Sequence, residues 1–285
     1  MTEILANPPI DRTVAAMRWR VAGWRQASER VALVPTMGAL HEGHLTLVKA
    51  AREKALRVVV SIFVNPAQFA PNEDFAAYPR TEDSDLAALS GLGVDAVFAP
   101  NVEEIYPAGF VTAITVGGPS EGLETSFRPH FFGGVATVIA KLFIACAPDA
   151  AIFGEKDYQQ LLVIRRMAAD LSLPVEVIGH ATIREADGLA LSSRNAYLTP
   201  AERATAPALN KALVRAGSAI RAGAPVARVL SAASLDLKAA GFRVDYVELR
   251  NAETLAPVVD FKTEKLRLLV AAWLGKTRLI DNIAV

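Results

Sequence analysis

Two histidines stand three positions apart in the segment PTMGALHEGH, residues 35–44, and the chain contains only four histidines. His41 and His44 could ligate a metal, bind a phosphate or lie in the protein interior. Zinc-binding histidines on a helix are usually spaced at i and i+4, and neither His130 nor His180 is placed as a third ligand. The spacing therefore weakens the metal interpretation, and the other two stay open.

The glycines around the two histidines favour phosphate binding. Gly38 and Gly43 allow a close approach of the backbone. A helix that begins near Gly43 would present free N–H groups and the positive end of its dipole to an anion. The same dipole disfavours a protonated imidazole, so we expect a neutral histidine that donates one N–H to a phosphate oxygen. Two ordinary histidines at the start of a helix remain the alternative.

Two later segments carry side chains that suit phosphates and small polar substrates. In FGEKDYQQ, Lys156 could supply a mobile positive charge to a polyphosphate, and a solvated charge cluster with Asp157 as helix cap is the alternative. Gln159 and Gln160 open the next predicted helix, where a glutamine can donate to and accept from a substrate. In GLALSSRNAY, two hydroxyls and the guanidinium of Arg194 suit phosphate oxygens, although this segment could simply be a loop before a helix.

The elements that must position these side chains alternate between short apolar runs and helical patterns. We predict strands at residues 31–35, 57–64, 95–100, 110–116, 149–154 and 174–179, with helices between them. This alternation predicts right-handed crossovers and a parallel sheet that is covered on both faces. Ligands bind beyond the carboxyl ends of the strands in such a sheet, so PTMGALHEGH, NPAQF and FGEKDYQQ would line one cleft.

The pattern changes beyond residue 184. Two amphipathic helices, at residues 200–216 and 226–240, precede three segments of alternating residues that predict an antiparallel sheet. We therefore predict an α/β protein. A Rossmann-like parallel-sheet domain over residues 1–184 would bind nucleotide and substrate, and a smaller α+β domain with an antiparallel sheet, residues 185–285, would cover the active site.

The composition excludes several classes of function. Hydrophobic residues make up 52% of the chain, and thirty basic residues balance thirty acidic ones, so no charge excess favours nucleic acid or an anionic membrane. No apolar run approaches the roughly 18 residues that span a bilayer, and no signal peptide is recognised. The single cysteine, Cys146, lies in an apolar run and indicates a reducing compartment rather than a nucleophile. We expect a soluble cytoplasmic protein without nucleic-acid or membrane partners.

The chain resembles the pantoate–β-alanine ligases, a family of the nucleotidyltransferase superfamily that also includes class I aminoacyl-tRNA synthetases. The resemblance rests on PTMGALHEGH, SIFVNPAQF, YPRTEDSDL, FGEKDYQQL, IREADGLALSSRN, VDYVELR and TRLIDNIA, which follow one another in the family's order. The HxGH element alone would indicate only the superfamily. The full set covers nearly the whole chain and is highly specific.

The resemblance implies a two-step reaction. ATP and (R)-pantoate would give pantoyl adenylate and pyrophosphate, and the amine of β-alanine would then displace AMP to give pantothenate. The resemblance also implies a homodimer and Mg²⁺ that travels mainly with the ATP, with Asp85 as the protein group near the ion. A carboxylate is a poor acceptor for an amine, and the mixed anhydride supplies the leaving group that it lacks.

The family's roles can be carried onto the matching residues. His41, His44, Lys156 and Arg194 would be catalytic, with His44 as the proton donor. The residues expected around ATP are Met37, Gly38, Ala39, Leu40, His41, Glu42, Gly43, His44, Gly154, Glu155, Lys156, Asp157, Ile183, Leu191, Ser192, Ser193 and Arg194. The residues expected around pantoate are Phe63, Asn65, Gln68 and Gln160, with Gln68 also near β-alanine.

One segment departs from the family pattern. The family commonly reads R-P-x-H-F-x-G-V, whereas this chain reads RPHFFGGV at residues 128–135, which places His130 one position early. An imidazole displaced by one residue points in a different direction, so neither His130 nor Arg128 receives a role. Two alternative functions remain: a nucleotidylyltransferase that adenylylates another small acceptor, and a nucleotide-binding protein without catalysis.

Overall fold

A computed structural model describes residues 7–69, 75–76 and 78–285. The strands are β1 (Ile10–Asp11), β2 (Val31–Thr36), β3 (Arg57–Ile62), β4 (Ala96–Phe98), β5 (Ala150–Gly154), β6 (Glu176–His180), β7 (Arg243–Asn251), β8 (Leu266–Leu274) and β9 (Thr277–Ala284). The helices are α1 (Val14–Gln26), α2 (Glu42–Lys54), α3 (Glu82–Leu89), α4 (Val102–Ile105), α5 (Phe131–Cys146), α6 (Tyr158–Asp170), α7 (Pro200–Thr205), α8 (Ala208–Arg221) and α9 (Val226–Ala239).

Six strands form a parallel sheet in the order β1-β4-β3-β2-β5-β6. Successive side chains of a strand point to opposite faces, and Val31, Ala32, Leu33 and Val34 of β2 are all 0% exposed, so both faces of the sheet are covered. The chain runs outward from β2 through β3 to β4 and later returns to β5, which pairs with the other edge of β2. The topological switch point, where ligands bind in open α/β sheets, therefore lies between β2 and β5.

The chain forms two compact units, each built from three stretches of sequence. Unit 1 contains Met1–Val116, Arg128–Glu155 and Val163–Ala181, and unit 2 contains Gly117–Phe127, Lys156–Leu162 and Thr182–Val285. The sequence pattern predicted a single division of the chain, after residue 184. That division into two consecutive domains stays a prediction.

Unit 2 contains a three-stranded antiparallel sheet in the order β7-β8-β9. The helices α8 and α9 share an apolar core with this sheet, in which Leu209, Leu213 and Leu237 of the helices join Leu268 and Val270 of β8. The parallel sheet and this smaller antiparallel sheet confirm the predicted fold class.

A buried ionic network ties the segment Gly117–Phe127 to the antiparallel sheet of unit 2. Arg278 donates to Glu124 at 2.6 Å and to Asp245 at 2.8 Å, and the Tyr246 hydroxyl donates to Glu124 at 2.9 Å. Burial, the largest cause, and the neighbouring Glu124 carboxylate raise the pKa of Tyr246 well above its usual value. A phenol that stays protonated keeps its hydrogen, so Tyr246 remains the donor of this bond at neutral pH.

Helix α5 supplies much of the interior of unit 1. Twelve of its sixteen residues are buried, Cys146 among them. Burial raises the pKa of the Cys146 thiol, which disfavours the thiolate that a nucleophile requires. None of the helices in the described part of the chain has both the length and the apolar character to cross a membrane.

Two sequence-based expectations about elements were wrong, and one strand was not predicted. The run at 110–116 forms no strand, and Val111 is 93% exposed; the Ile114 N–H donates to the Thr137 hydroxyl at 3.0 Å instead of to a neighbouring strand. The helix predicted at 200–216 is two helices, α7 and α8, because Pro207 has no N–H to continue the hydrogen-bonded ladder. Strand β1 was missed, since two residues are too short to show a period.

Candidate active site

A buried carboxylate from α3 holds the loop after β2, residues 36–44, which we call the histidine loop. Asp85 is 2% exposed, and its two oxygens accept the N–H of Ala39 at 3.0 Å and the N–H of Leu40 at 2.8 Å. The Thr81 hydroxyl donates to the same carboxylate at 3.3 Å. Gly38 and Ala39 have φ values of 80° and 51°, a left-handed turn that points consecutive N–H groups at one acceptor.

The two histidines of this loop cap α2. The Gly43 N–H donates to Nδ1 of His41 at 3.1 Å, and the His41 N–H donates to Nδ1 of His44 at 3.3 Å. Because Nδ1 accepts in both rings, the proton of each neutral imidazole lies on Nε2. The ring centroids are 4.1 Å apart. The start of the helix thus carries two imidazole N–H donors beside its own dipole, an arrangement suited to an anion.

The remaining predicted residues of the histidine loop differ in exposure. Met37 is half-buried and Gly38 is buried. A Cβ atom at Gly38 would lie 3.0 Å from Oδ2 of Asp85, so the loop has little room for a side chain there. Glu42 is exposed, and its carboxylate pairs with Lys49 at 3.1 Å along the surface of α2. The geometry therefore favours phosphate contacts from the two histidines over contacts from the Glu42 side chain.

The loop after β3, residues 63–69, which we call the glutamine loop, is ordered by Asn65. The Asn65 oxygen accepts the Ala67 N–H at 3.2 Å and so caps the 3-10 helix Pro66–Gln68. Its amide nitrogen donates to Oε1 of Gln68 at 2.9 Å. Asn65 is 1% exposed and Phe63 is 5% exposed, whereas Gln68 is half-buried. Of the predicted pantoate residues in this loop, Gln68 is the one with its side chain partly open.

The segment that departs from the family pattern contributes Arg128 to this loop. The Arg128 guanidinium donates to the main-chain oxygen of Gln68 at 3.0 Å and stacks on the ring of Phe131, 4.0 Å from its centroid. His130 is exposed at the start of α5 and makes no capping hydrogen bond. Neither residue received a role from the sequence, and in the described part of the chain Arg128 holds the backbone of the glutamine loop.

Lys156 begins unit 2 directly after Glu155 ends unit 1. It lies in the 3-10 helix Glu155–Asp157, its side chain is 17% exposed, and its ammonium is 3.9 Å from the Asp157 carboxylate. The buried Asn282 donates to the main-chain oxygen of Lys156 at 2.8 Å, which fixes the backbone from which this charge extends.

The two glutamines after Lys156 have different surroundings. Gln159 is 4% exposed; its oxygen accepts the Glu124 N–H at 3.1 Å, and its nitrogen donates to Pro119 O at 3.0 Å. Gln160 is half-buried. Gln159 is therefore committed to holding the segment Gly117–Phe127, which leaves Gln160 as the better candidate for a substrate.

The predicted ATP residues after Thr182 lie in a loop of unit 2 that several hydrogen bonds hold in place. The Leu191 N–H donates to Ile183 O at 3.0 Å. The Arg184 guanidinium makes a bidentate salt bridge to the buried Asp281 carboxylate, with distances of 2.7 and 2.9 Å. The Ser192 hydroxyl accepts the Arg194 N–H at 3.3 Å and caps the 3-10 helix Ser193–Tyr197. Nearby, the hydrogen bond from Arg203 lowers the pKa of Asp187, so this loop stays charged and paired at neutral pH.

The predicted site residues thus belong to both units. Unit 1 brings together the histidine pair with Asp85, and Asn65 with Gln68, and it also contains Gly154 and Glu155 at the end of β5. Unit 2 contains Lys156, Asp157, Gln160, Ile183 and the run 191–194. Within residues 7–69, 75–76 and 78–285 no group of three or more His, Cys, Asp or Glu side chains could hold a metal ion.

The fold and this edge of the sheet define a nucleotide-binding α/β enzyme, because the histidine-capped helix follows the strand at the switch point. Residues 9–284 match the family model described as pantoate-beta-alanine ligase. The chain therefore belongs to the pantoate-beta-alanine ligase family, and the resemblance inferred from the sequence is confirmed.

Individual relatives agree with this assignment. The chain is 58% identical over 280 residues to pantothenate synthetase 2 of Bradyrhizobium diazoefficiens, a match that covers 98% of this chain and 99% of the relative. The crystal structure of pantothenate synthetase from Thermus thermophilus superposes with a TM-score of 0.90 at 49% identity and covers 96% of this chain and 98% of that one. The pantoate-beta-alanine ligase of Francisella tularensis, complexed with beta-gamma ATP and beta-alanine, superposes with a TM-score of 0.81 at 31% identity, with 97% of each chain covered.

Several residues that order the site carried no sequence signal of their own. Tyr106 contacts Asn65 from 41 positions away, and Asp281 and Asn282 hold residues 97 and 126 positions earlier. Asn282 lies within the segment TRLIDNIA that supported the resemblance, so that segment was the available clue.

Proposed function

We propose that the protein is an ATP-dependent ligase that condenses (R)-pantoate with β-alanine to give pantothenate, AMP and pyrophosphate. The observation that carries the proposal is the pair of imidazole Nε2 donors at the start of α2, in a chain that matches the ligase family over residues 9–284. The rival function, a nucleotidylyltransferase with another acceptor, shares the histidine pair but gives no reason for the ordered glutamine loop.

The reaction proceeds in two displacements. A carboxylate oxygen of pantoate attacks the α-phosphorus of ATP, the bond to the β-phosphate oxygen breaks, and pyrophosphate leaves. The β-alanine amine, after losing a proton, then attacks the carbonyl carbon of the adenylate, and AMP leaves with the bridging oxygen. The protein forms no covalent bond in either step, so its contribution is to position the reactants and to neutralise developing charge.

On the phosphate side, His41 and His44 donate from Nε2 to the triphosphate, and His44, the proton donor that the resemblance implies, stabilises the leaving pyrophosphate by a hydrogen bond from this N–H. Lys156 and Arg194, both in unit 2, add positive charge to the transferring phosphates. The backbone and side chains assigned to the rest of the nucleotide are those of Met37, Gly38, Ala39, Leu40, Glu42, Gly43, Gly154, Glu155, Asp157, Ile183, Leu191, Ser192 and Ser193. Glu42 is the weakest of these, since it pairs with Lys49 on the surface.

On the pantoate side, the resemblance assigns Gln68 and Gln160 to the substrate, which their side-chain amides would bind. Phe63 is buried and provides an apolar surface for the loop, and Asn65 acts through Gln68. This assignment rests on the half-buried position of Gln68 and Gln160 beside neighbours, Asn65 and Gln159, that are committed to structural hydrogen bonds.

The resemblance implies Mg²⁺, which would neutralise the phosphates of ATP. Among the described residues no group of three or more His, Cys, Asp or Glu side chains could hold an ion, and both oxygens of Asp85 already accept N–H groups of the histidine loop. We therefore assign Mg²⁺ to the incoming ATP and Asp85 to the ordering of the loop.

The family resemblance also supports a homodimer and a cytoplasmic location. The largely exposed run at 110–116 offers a surface to which a second copy could bind, and a buried free thiol at Cys146 suits a reducing compartment. Light scattering after gel filtration tests the dimer, and a mass of one chain would reject it. Fractionation of cells that express a tagged chain tests the location.

Pantoate-dependent exchange of labelled pyrophosphate into ATP tests the function. We expect exchange only when ATP, Mg²⁺ and pantoate are all present, and AMP release only after β-alanine is added. Exchange without amide formation would leave an adenylylating enzyme with another acceptor. No pantoate-dependent exchange would exclude the ligase.

A further inference from the structure

Asn65 uses its whole hydrogen-bonding capacity inside unit 1. Its oxygen accepts the Ala67 N–H at 3.2 Å and the Tyr106 hydroxyl at 2.7 Å, and its nitrogen donates to Oε1 of Gln68 at 2.9 Å and to Gly134 O at 3.1 Å. A side-chain amide has two acceptor sites and two donor hydrogens, so none remains for a ligand. A residue that is 1% exposed and saturated in this way orients its neighbours and does not bind substrate itself.

The same four bonds determine the positions of the side-chain oxygen and the side-chain nitrogen of Asn65. The Ala67 N–H can only donate and the Gly134 carbonyl can only accept, so the oxygen must face Ala67 and the nitrogen must face Gly134. The Tyr106 hydroxyl consequently donates to the Asn65 oxygen, and the Asn65 nitrogen consequently requires an acceptor from Gln68. Gln68 is thereby held with its oxygen towards Asn65 and its NH₂ group directed away.

Tyr106 is itself held in place. Its ring packs edge-on against Phe110 at 5.2 Å and lies 6.3 Å from the ring of Phe63. Burial raises its pKa to about 12, so the hydroxyl keeps its proton and stays a donor at every pH at which the enzyme would work.

We propose that Tyr106 is a positioning residue of the pantoate site, which through Asn65 sets the Gln68 amide so that its NH₂ group faces the ligand. The inference rests on the proposed assignment of Gln68 to pantoate. Its consequence is chemical: the NH₂ group of Gln68 binds an acceptor, a carboxylate or hydroxyl oxygen of pantoate. Among the described residues, the NH₂ group of Gln68 has no hydrogen-bond acceptor within the protein.

The test is a double-mutant cycle of Tyr106→Phe and Gln68→Ala, read as the KM for (R)-pantoate in pyrophosphate exchange. Tyr106→Phe keeps the ring and removes one buried hydrogen bond, which predicts a KM for pantoate about threefold to tenfold higher. The KM for ATP should stay within a factor of about two. In the Gln68→Ala background the phenylalanine should have no further effect, because the group on which Tyr106 acts is gone.

A matched control is Tyr246→Phe, which removes a tyrosine hydroxyl that donates to the Glu124 carboxylate in unit 2. It should lower the melting temperature and leave the KM for pantoate unchanged. A second variant, Asn65→Asp, places an acceptor where Gln68 needs a donor, so the Gln68 amide turns over and its oxygen faces the ligand. We expect this variant to raise the KM for pantoate about 100-fold above that of the unaltered protein, a larger increase than Tyr106→Phe causes.

Three results would overturn the inference. The KM for pantoate could be unchanged in Tyr106→Phe, or could rise equally with and without the Gln68 side chain, and either result would remove the link between the two residues. If Gln68→Ala alone leaves the KM for pantoate unchanged, Gln68 is not at the pantoate site and the positioning role falls with it. A failure of the proposed function is distinct, since it would appear as no pantoate-dependent exchange in the unaltered protein.

Discussion

The histidine loop and the glutamine loop leave neighbouring strands of one sheet, yet they order their polar side chains by different means. In the histidine loop, His41 and His44 are both the candidate catalytic groups and the caps of α2. In the glutamine loop, Gln68 is the candidate binding group, and a separate residue, Asn65, orients it. In the first loop the same residues order the backbone and carry the chemistry, whereas in the second loop different residues have these two roles.

This difference decides what a mutation can reveal. A substitution at either histidine changes the start of a helix as well as a phosphate contact, whereas Tyr106 or Asn65 can be changed without touching the group that meets the substrate. The following predictions test this contrast.

The largest effect is expected at His44. His44→Ala removes the Nε2 donor and the acceptor of the His41 N–H together, and we expect pantoate-dependent exchange to fall by at least about 100-fold, the usual loss for one preorganised donor. His130→Ala is the control, since that histidine is exposed at the start of α5. Exchange within twofold of normal in His44→Ala would remove this residue from the mechanism.

The next effect is expected where α5 meets the glutamine loop. A Cβ atom at Gly134 would lie 2.2 Å from the main-chain oxygen of Ala67, so Gly134→Ala must displace the loop and should destabilise the protein by about 1–3 kcal/mol. At Gly133 the nearest atom, Ile114 O, is 3.8 Å away. Gly133→Ala should therefore be neutral or stabilising by at most about 1 kcal/mol. Urea unfolding measures both variants, and equal stabilities would show that the close approach is not a constraint.

The smallest change in stability is expected at His41, where it separates capping of α2 from phosphate binding. The side-chain oxygen of asparagine can replace Nδ1 as the acceptor of the Gly43 N–H, but asparagine has no group at the position of Nε2. His41→Asn should keep the free energy of unfolding within about 0.5 kcal/mol, while His41→Ala loses about 1 kcal/mol. Both variants should lose exchange activity to a similar degree. If His41→Asn is as active as the unaltered protein, capping is the only function of this histidine.

The local patterns of the sequence predicted most of the parallel sheet. The run RVVVSI became β3 because β-branched residues suit a strand buried on both faces. Residues 110–116 have a similar composition but form no strand, since pairing depends on a neighbouring strand that a local pattern does not encode. The placement of Gly117–Phe127 in unit 2 likewise depends on Gln159, Arg278 and Tyr246, which are distant in sequence.

The sequence predicted the residues of the candidate site better than the hydrogen bonds that hold them in place. The types and spacing of His41, His44 and Lys156 were enough to suggest phosphate chemistry. The hydrogen bonds that order them run from the Leu40 N–H to the Asp85 carboxylate and from the Asn282 side chain to the main-chain oxygen of Lys156, and they join residues 45 and 126 positions apart. Spacing along the chain carries no information on such contacts, so they became visible only in the folded protein.

The most direct test of the ligase mechanism follows the carboxylate oxygens of pantoate. Pantoate labelled with ¹⁸O in both carboxylate oxygens is incubated with ATP, Mg²⁺ and β-alanine, and the products are analysed by mass spectrometry. If the carboxylate attacks the α-phosphorus and the amine then attacks the carbonyl carbon, AMP gains one labelled oxygen and pantothenate keeps the other. Unlabelled AMP, or label found in pyrophosphate or in inorganic phosphate released with ADP, would contradict an adenylate intermediate.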